Sequence, residues 1–587
     1  MNYAAVDFES YYDDECSITT VGTHGYMEHP KFDPYLVSIV TSTGLKFVGD
    51  PKEFDWASIS GADWTWLHHN ASFDGAVLDW MRDKKMIPDV HPFETNDTAD
   101  LAAYLGSPRS LKVASEILLQ LTVSKDTRNM MKGQVWANMT KEFQEEVKTY
   151  ALSDSELCLQ LWNKFSARWP EHERRLSRMT RDMGWRGLPI DLELLDKGIS
   201  SLELQLWAAQ RNIPWLSESS EETALSPKAL ARHCRSIGIL PPTSMAKDSP
   251  ELEAWAEKYG AEHKFVQAVS DYRRINALLQ KFKTVKVRVR PDGTMPYALK
   301  YFGATTGRWS GDSGVNVQNI MSKEIFGVNL RLCIQAPKGY TFAVVDLSNI
   351  EPRVGAVCCK DTELLKSLRE GGDIYEAAAR RVFGYSDPRP LKAVDPGLRK
   401  LAKIAVLGLG YSTGHVKFIQ IAKQAGVTLS VVESKRVVDQ FRAKNPKLTS
   451  TWRMLEQAMR MCNGKTFEVE LPSGRMMRYQ GVTTMGGPSA VVPRLGKMMR
   501  VNLHGGLLYE NLCQATARDV FSNCLTKAED AGLNVVLHCH DEIVALCKNE
   551  DANQTLKTLI EIMSTPPEWM PSLPIAAEGG LTERYVK

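Results

Sequence analysis

Long apolar runs are missing from this sequence. No stretch approaches the roughly 20 consecutive apolar residues of a bilayer-spanning helix, so a helical membrane protein is excluded. A dominant charge is missing too: 72 Lys and Arg stand against 70 Asp and Glu, a formal net charge of +2 over 587 residues. Any surface for nucleic acid must then be a local basic patch balanced by acidic regions elsewhere. The 11 cysteines show no C-x-x-C pair and no regular spacing. A reduced, intracellular protein is expected, with no disulfide framework. His538-Cys539-His540 has zinc-binding residue types, but no second ligand group stands at a metal-site spacing. The N-terminus has no signal or transit character and enters a strand almost at once.

What is present is a globular composition, 43% apolar and 24% charged, on a chain long enough for three or four domains. The most informative stretch is FAVVDLSNIEPR at 342–353. An apolar, β-rich run ends on Asp346. Ser348 with Glu351 three residues on reads as a capping box, with Pro352 in the first helical turn. Two further β-rich runs, 535–537 and 543–546, flank His538-Cys539-His540-Asp541-Glu542, which predicts a hairpin with both acids at its tip. Two strand-borne aspartates, Asp346 and Asp541, are the donor set of a two-metal phosphoryl-transfer site, in which hard oxygen ligands hold two Mg²⁺ roughly 3.5–4 Å apart. Glu542 is a secondary carboxylate beside them.

Nearer the N-terminus, 3–9 predicts a strand with Asp7 and Glu9 on one face. Strands follow at 36–40, 45–48 and 64–68. The last runs into Asn70 and Asp74 and then a helix over 76–81. Tyr150 and Asp154 stand one helical turn apart, so four carboxylates and a tyrosine could converge. Helices are expected at 169–183, with Glu171, Glu173, Arg174 and Arg175 on solvated faces, and at 192–210, 227–237 and 250–259. At 285–290 valines alternate with Lys286, Arg288 and Arg290. That predicts a strand with one basic face, which is either solvated or a contact for duplex phosphates.

A helix over 395–412 carries Arg399, Lys403, Leu407 and Tyr411 at every fourth position, one slowly turning stripe. Two cations lie toward its N-terminal end, where the helix dipole also favours anions. An apolar residue and an aromatic follow. A nucleoside triphosphate has the same polarity, a polyanion joined to a flat base, and Lys and Arg hold such phosphates in other phosphoryl-transfer sites.

Together these stretches resemble the family A DNA polymerases, the bacterial DNA polymerase I class and its phage relatives. DLSNIEPR and HDE are similar to the first and third palm motifs. D-x-E at Asp7 and Glu9, N-x-x-F-D ending on Asp74 and Y-x-x-x-D at Tyr150 and Asp154 resemble the three motifs of proofreading 3′–5′ exonucleases. The resemblance implies an α/β multidomain chain. An RNase H-like exonuclease would occupy 1–165, and a right-hand polymerase would follow: thumb 166–300, palm 301–360 and 509–587, fingers 361–508. It implies template-directed addition of dNTPs to a primer 3′ end with proofreading. Two Mg²⁺ per active site, with Mn²⁺ as the alternative ion, and primer–template DNA as partner go with that reading, as does an unidentified processivity factor.

The same resemblance assigns roles. Asp346 and Asp541 would bind the polymerase metals, with Glu542 near the site. Asp7, Glu9, Asp74 and Asp154 would bind the exonuclease metals, and Tyr150 would orient the attacking water. Arg399, Lys403, Leu407, Tyr411 and Tyr375 would contact the dNTP. Glu351 would be a steric gate to a ribose 2′-OH, packed with Tyr411. Arg308, in T-G-R-x-S, with Gln318, Gln514 and His540 would lie on the primer–template. In the minor groove, acceptors common to all pairs allow pairing to be checked without reading sequence. Two departures stand out: Leu407 where the family has Phe or Tyr, and Ser412 where it has Gly. Leucine has no hydroxyl, so discrimination against dideoxynucleotides is expected. Asp7 stands seven residues from the start, which leaves no room for a 5′-nuclease and points to a phage-type replicative enzyme in the bacterial cytoplasm. A single-subunit RNA polymerase or reverse transcriptase is disfavoured by Glu351 and the nuclease motifs, and a binding protein with dead sites by six intact carboxylates.

Overall fold

The computed structural model describes residues 1–123, 126–218, 222–245, 249–312 and 315–586. The first strand, β1 (Asn2–Glu9), lies beside β2 (Leu36–Thr41), β3 (Lys46–Gly49), β4 (Gly61–His68) and β5 (Pro92–Asp97) in one sheet of order β3-β2-β1-β4-β5. β1 pairs antiparallel with β2 and parallel with β4. Strand parity then sorts its side chains. Ala4, Val6 and Phe8 join a core with helix α2 (Ala71–Asp83), which follows α1 (Ile18–Met27). Ala5 faces the other core with helix α3 (Lys141–Phe165), through Leu157, Leu161 and Trp162. Asp7 and Glu9 share the parity of Ala5, so β1 carries both acids toward the α3 side.

Three long helices come next: α4 (Glu171–Arg186), α5 (Leu192–Gln210) and α6 (Lys264–Arg288). α5 and α6 pack closely enough that a Cβ on Gly198 would stand 2.4 Å from the Phe282 ring. Two expectations fail here. The segment 285–290 is not a strand. Ile275, Leu279, Phe282, Val285 and Arg288 are buried at steps of three and four, so the helical stripe of α6 runs through it; a short alternating run cannot be told from a helix tail by pattern alone. Its three cations therefore share no face. Lys286 pairs with Asp196 at 2.6 Å, Arg288 turns inward, and Arg290 donates to the Trp185 carbonyl and lies over its ring. Glu173 is not solvated either. It is buried against Arg518, 345 residues later.

The C-terminal half holds a second sheet. β6 (Tyr340–Leu347) leads through a tight turn into α7 (Ile350–Cys358). The expected capping box does not form. Asn349, left-handed at φ 53°, occupies the cap position, and Glu351 is drawn away by other partners. Helix α8 (Pro396–Leu409) is capped by Asp395. A meander of β7 (Phe467–Glu470), β8 (Met476–Thr483), β9 (Ser489–Arg494) and β10 (Lys497–Asn502) precedes the long helix α9 (Gly505–Asp530). β11 (Val535–Cys539), β12 (Glu542–Lys548) and β13 (Ala577–Thr582) complete the sheet in the order β11-β12-β6-β13, antiparallel throughout. All 11 cysteines are free thiols. Among the described residues no helix is long and apolar enough to cross a membrane.

Candidate active sites

The second sheet brings Asp346 and Asp541 together. In the register of β6 and β12, Asp346 stands opposite Glu542. The next residue on β6, Leu347, donates its N–H to the Asp541 carbonyl at 3.0 Å. His540 and Asp541 form the turn of the β11–β12 hairpin, with His540 at φ 57°. Glu542 is buried and locked by the Tyr585 hydroxyl and by Arg331 at 3.5 Å. His538 is buried against Trp309, and burial, with His540 and Arg518, pushes its imidazole down to about 3. It is a neutral core residue at neutral pH.

Beside this pair lies a polar cluster built by α7, α8 and the loop before β6. Arg308 donates to Glu351, and the Tyr411 hydroxyl donates to the other Glu351 oxygen at 2.9 Å. Burial, then Cys513 and Glu351, push the Tyr411 phenol up, so it stays a donor. On α8, Arg399 pairs with Asp373 at 2.6 Å, and both Arg399 and Lys403 lie over the Tyr375 ring, at 5.4 and 5.9 Å. Burial works against the Asp373 charge, but Arg399 and two backbone N–H groups hold its carboxyl below the usual range. The Tyr375 hydroxyl donates to Asn349 at 2.6 Å, tying α8's neighbour to the turn that follows Asp346. Leu407 is 44% exposed on the same stripe. Gln514 donates to Glu510 at 3.1 Å, and Gln318 is buried with its carbonyl receiving the Cys539 thiol.

Asp7, Glu9, Asp74, Tyr150 and Asp154 line one cleft of about 430 Å³. Asp74, in the first turn of α2, accepts from the Phe8 N–H at 3.2 Å, which fixes it against β1. Burial, and then the charge of Asp7, push its carboxyl well above the usual range. The nearby His68 is held down to about 4, chiefly by burial, so it offers no countercharge. Two cations that pattern reading did not single out, Arg109 and Arg128, line the same cleft. Arg109 bonds Asp100 and donates to the Tyr301 carbonyl at 2.7 Å. Burial works against the Arg128 guanidinium, but the neighbouring Glu9 and Asp7 carboxylates, beside Tyr150, raise it. Their lone positions between motifs gave no periodic signal.

Both donor sets fit divalent cations in chemistry: hard carboxylate oxygens, with a buried Asp74 whose charge a cation would stabilise. Among the described residues no three such donors form a closed cage. Mg²⁺ in phosphoryl-transfer sites commonly takes only one or two carboxylates, with water and substrate phosphates completing the shell.

The chain is similar to known DNA polymerases. The family model described as DNA polymerase family A matches residues 201–587. A DNA polymerase of Bacillus phage SP02 is 26% identical over 675 aligned positions, covering 100% of both chains. The thermostable DNA polymerase I of Thermus filiformis is 25% identical, over 72% of this chain but 49% of its own. The chain thus spans about half the length of that bacterial relative. Among solved structures, the POL domain of Pol1 from M. smegmatis, in complex with DNA primer-template and dNTP, superposes with a TM-score of 0.68 at 19% identity, over 100% of this chain and 95% of the other. That last likeness is one of fold.

Proposed function

Because the chain belongs to DNA polymerase family A, and to its phage type, we propose that it copies a template by adding dNTPs to a primer 3′ end and that its N-terminal domain excises mispaired 3′ nucleotides. The observation that supports this reading is the pairing of β6 with β12, in which Asp346 stands opposite Glu542 and the Leu347 N–H meets the Asp541 carbonyl. When bound, divalent cations supply activation of the attacking oxygen and stabilisation of the leaving one at each site.

The chain's own residues do the rest. Asp346 and Asp541 hold the ions of the polymerase site. Arg399 and Lys403 receive the triphosphate, with Arg399 leaving Asp373 to do so, and Tyr375 keeps both cations aligned. Leu407 and Tyr411 flank the nucleotide. Glu351, fixed by Arg308 and Tyr411, fills the place where a ribose 2′-OH would lie. Arg308, Gln318, Gln514 and His540 contact the primer–template, in a palm of 301–360 and 509–587 with fingers 361–508 and thumb 166–300. In 1–165, the sheet order β3-β2-β1-β4-β5 supports an RNase H-like exonuclease. There Asp7, Glu9, Asp74 and Asp154 hold the ions, and Tyr150, whose phenol burial keeps protonated, orients water.

Primer extension with dNTPs and Mg²⁺, on matched and 3′-mismatched primers, tests both activities. The expected result is extension of both, with the mismatched primer first shortened. No extension of the matched primer would overturn the polymerase reading, and extension only from the matched primer would overturn proofreading.

A further inference from the structure

Arg288, which the sequence offered as a duplex contact, faces the N-terminal domain instead. It is 6% exposed. One Nη2–H reaches the Thr19 carbonyl at 2.9 Å, while its buried Nε has no hydrogen-bond partner. Burial pushes its guanidinium down. The stem is clamped. Gly22, at φ 76°, passes so close that a Cβ there would stand 3.0 Å from Arg288 Cγ. As the last residue of α6, Arg288 also meets the negative end of the helix dipole, which is only a fraction of an elementary charge. A buried guanidinium with donors left over is costly unless an anion meets it, and phosphate oxygens match its fork.

The space it faces is suited to one. Arg288 lines a cleft of about 310 Å³ together with Arg181, Arg82, His91, Trp185 and Tyr297. That is the lower end of the size range of small-molecule sites, roughly 300–1,000 Å³. Two acids are also in the wall. Asp79 is paired with Arg82 at 3.3 Å, and Asp182 feels the charge of Arg181. The cleft adjoins the one that holds Asp7, Glu9, Asp74 and Asp154. Thr23, Ser72, Thr180 and Arg181 line both.

We propose that this second cleft binds a nucleoside 5′-monophosphate, its phosphate on Arg288 and its nucleoside toward Trp185 and Tyr297. Breaking the P–O3′ bond of a strand end with water leaves the shortened strand its 3′-hydroxyl and releases such a monophosphate. The site then receives the product of the neighbouring cleft; this choice of ligand rests on the exonuclease reading above, whereas the anion site does not.

The test is calorimetric titration of the full chain, at fixed ionic strength and without divalent cation, with dAMP, inorganic phosphate and deoxyadenosine. The expected result is binding of dAMP, weaker binding of phosphate and none of deoxyadenosine. Arg288→Met should weaken dAMP about tenfold or more, and Arg288→Lys less, because the charge remains. Asp7→Ala should leave dAMP binding unchanged. Absence of binding by the wild-type chain overturns the site, whether or not Arg288→Met folds, and so does wild-type affinity in a folded Arg288→Met. Phosphate binding as tightly as dAMP overturns the nucleotide assignment. Arg288-dependent dAMP binding in a chain that removes no 3′-terminal nucleotide overturns the product role and the exonuclease reading while the anion site stands.

Discussion

Removing one carboxylate, Glu173, should unsettle the polymerase half although it sits on α4, far from Asp346 in sequence. Glu173 and Arg518 are both buried and bonded to each other at 2.9 Å, with the Tyr301 hydroxyl donating to the same Glu173 oxygen at 2.6 Å. From this pair the network reaches the loop that carries Arg308. Arg518 Nε donates to the Gly307 carbonyl at 2.9 Å, and Arg475, itself paired with Asp519, donates to the Thr306 carbonyl at 2.9 Å. Burial alone would push the Glu173 carboxyl up; Arg518, Arg475 and Tyr301 overcome it and hold it down to about 2. Against an ordinary value of 4.5, that corresponds to about 3 kcal/mol of folding stability. The folded carboxyl is the more acidic one, so this contribution is whole above about pH 4.5 and fades as pH falls toward 2. Glu173→Ala leaves Arg518 buried without its partner and should cost about 3–5 kcal/mol. Replacing both residues, Glu173→Leu with Arg518→Met, should recover most of that, since apolar substitutes for a buried pair are often neutral. Urea unfolding followed by tryptophan fluorescence reads both, because Trp169 and Trp309 border the network. A Glu173→Ala chain within about 1 kcal/mol of wild type, or a double variant no better than the single one, would refute the reasoning.

Other outcomes follow from the same geometry. Glu351→Ala should raise ribonucleotide incorporation relative to dNTPs in single-turnover extension, and an unchanged ratio would remove the gate assignment. Ser412 adopts φ 66°, a region costly for any residue with a Cβ. Ser412→Gly should therefore stabilise the fingers by about 0.5–1 kcal/mol in thermal unfolding, and a lower melting temperature would contradict this. Leu407 should make the chain discriminate against dideoxynucleotides, so equal use of ddNTPs and dNTPs would refute that expectation. Mg²⁺ or Mn²⁺ should raise the melting temperature by stabilising the charge on Asp74, and Asp7→Asn should shrink the increment; an identical increment would count against a shared ion.

Much of this architecture was legible because short-range physics fixed it. The two-residue period of β1 carried Asp7 and Glu9 to one face. The helix expected at 192–210 has those bounds, and the four-residue stripe of α8 aligned Arg399, Lys403 and Leu407, although α8 ends at Leu409 rather than at 412 and leaves Tyr411 in the turn that follows. What failed depended on partners distant in sequence. Glu173 looks like any charged residue on an amphipathic helix until Arg518 is folded against it. Ser348 looked like the better cap for α7, but Asn349 takes the left-handed turn because the Tyr375 hydroxyl holds its side chain there. Arg288 alternates with valines as a strand residue would, and only the length of α6 reveals the helix.

The central claim is that Asp346 and Asp541 jointly serve one phosphoryl-transfer centre. Single-turnover addition of one dNTP to an annealed primer, compared among wild type, Asp346→Asn and Asp541→Asn with DNA affinity measured alongside, tests it most directly. Each variant should retain DNA binding and lose at least about a thousandfold in rate, since the metal contribution amounts to several kcal/mol. Wild-type rates in either variant would contradict the account.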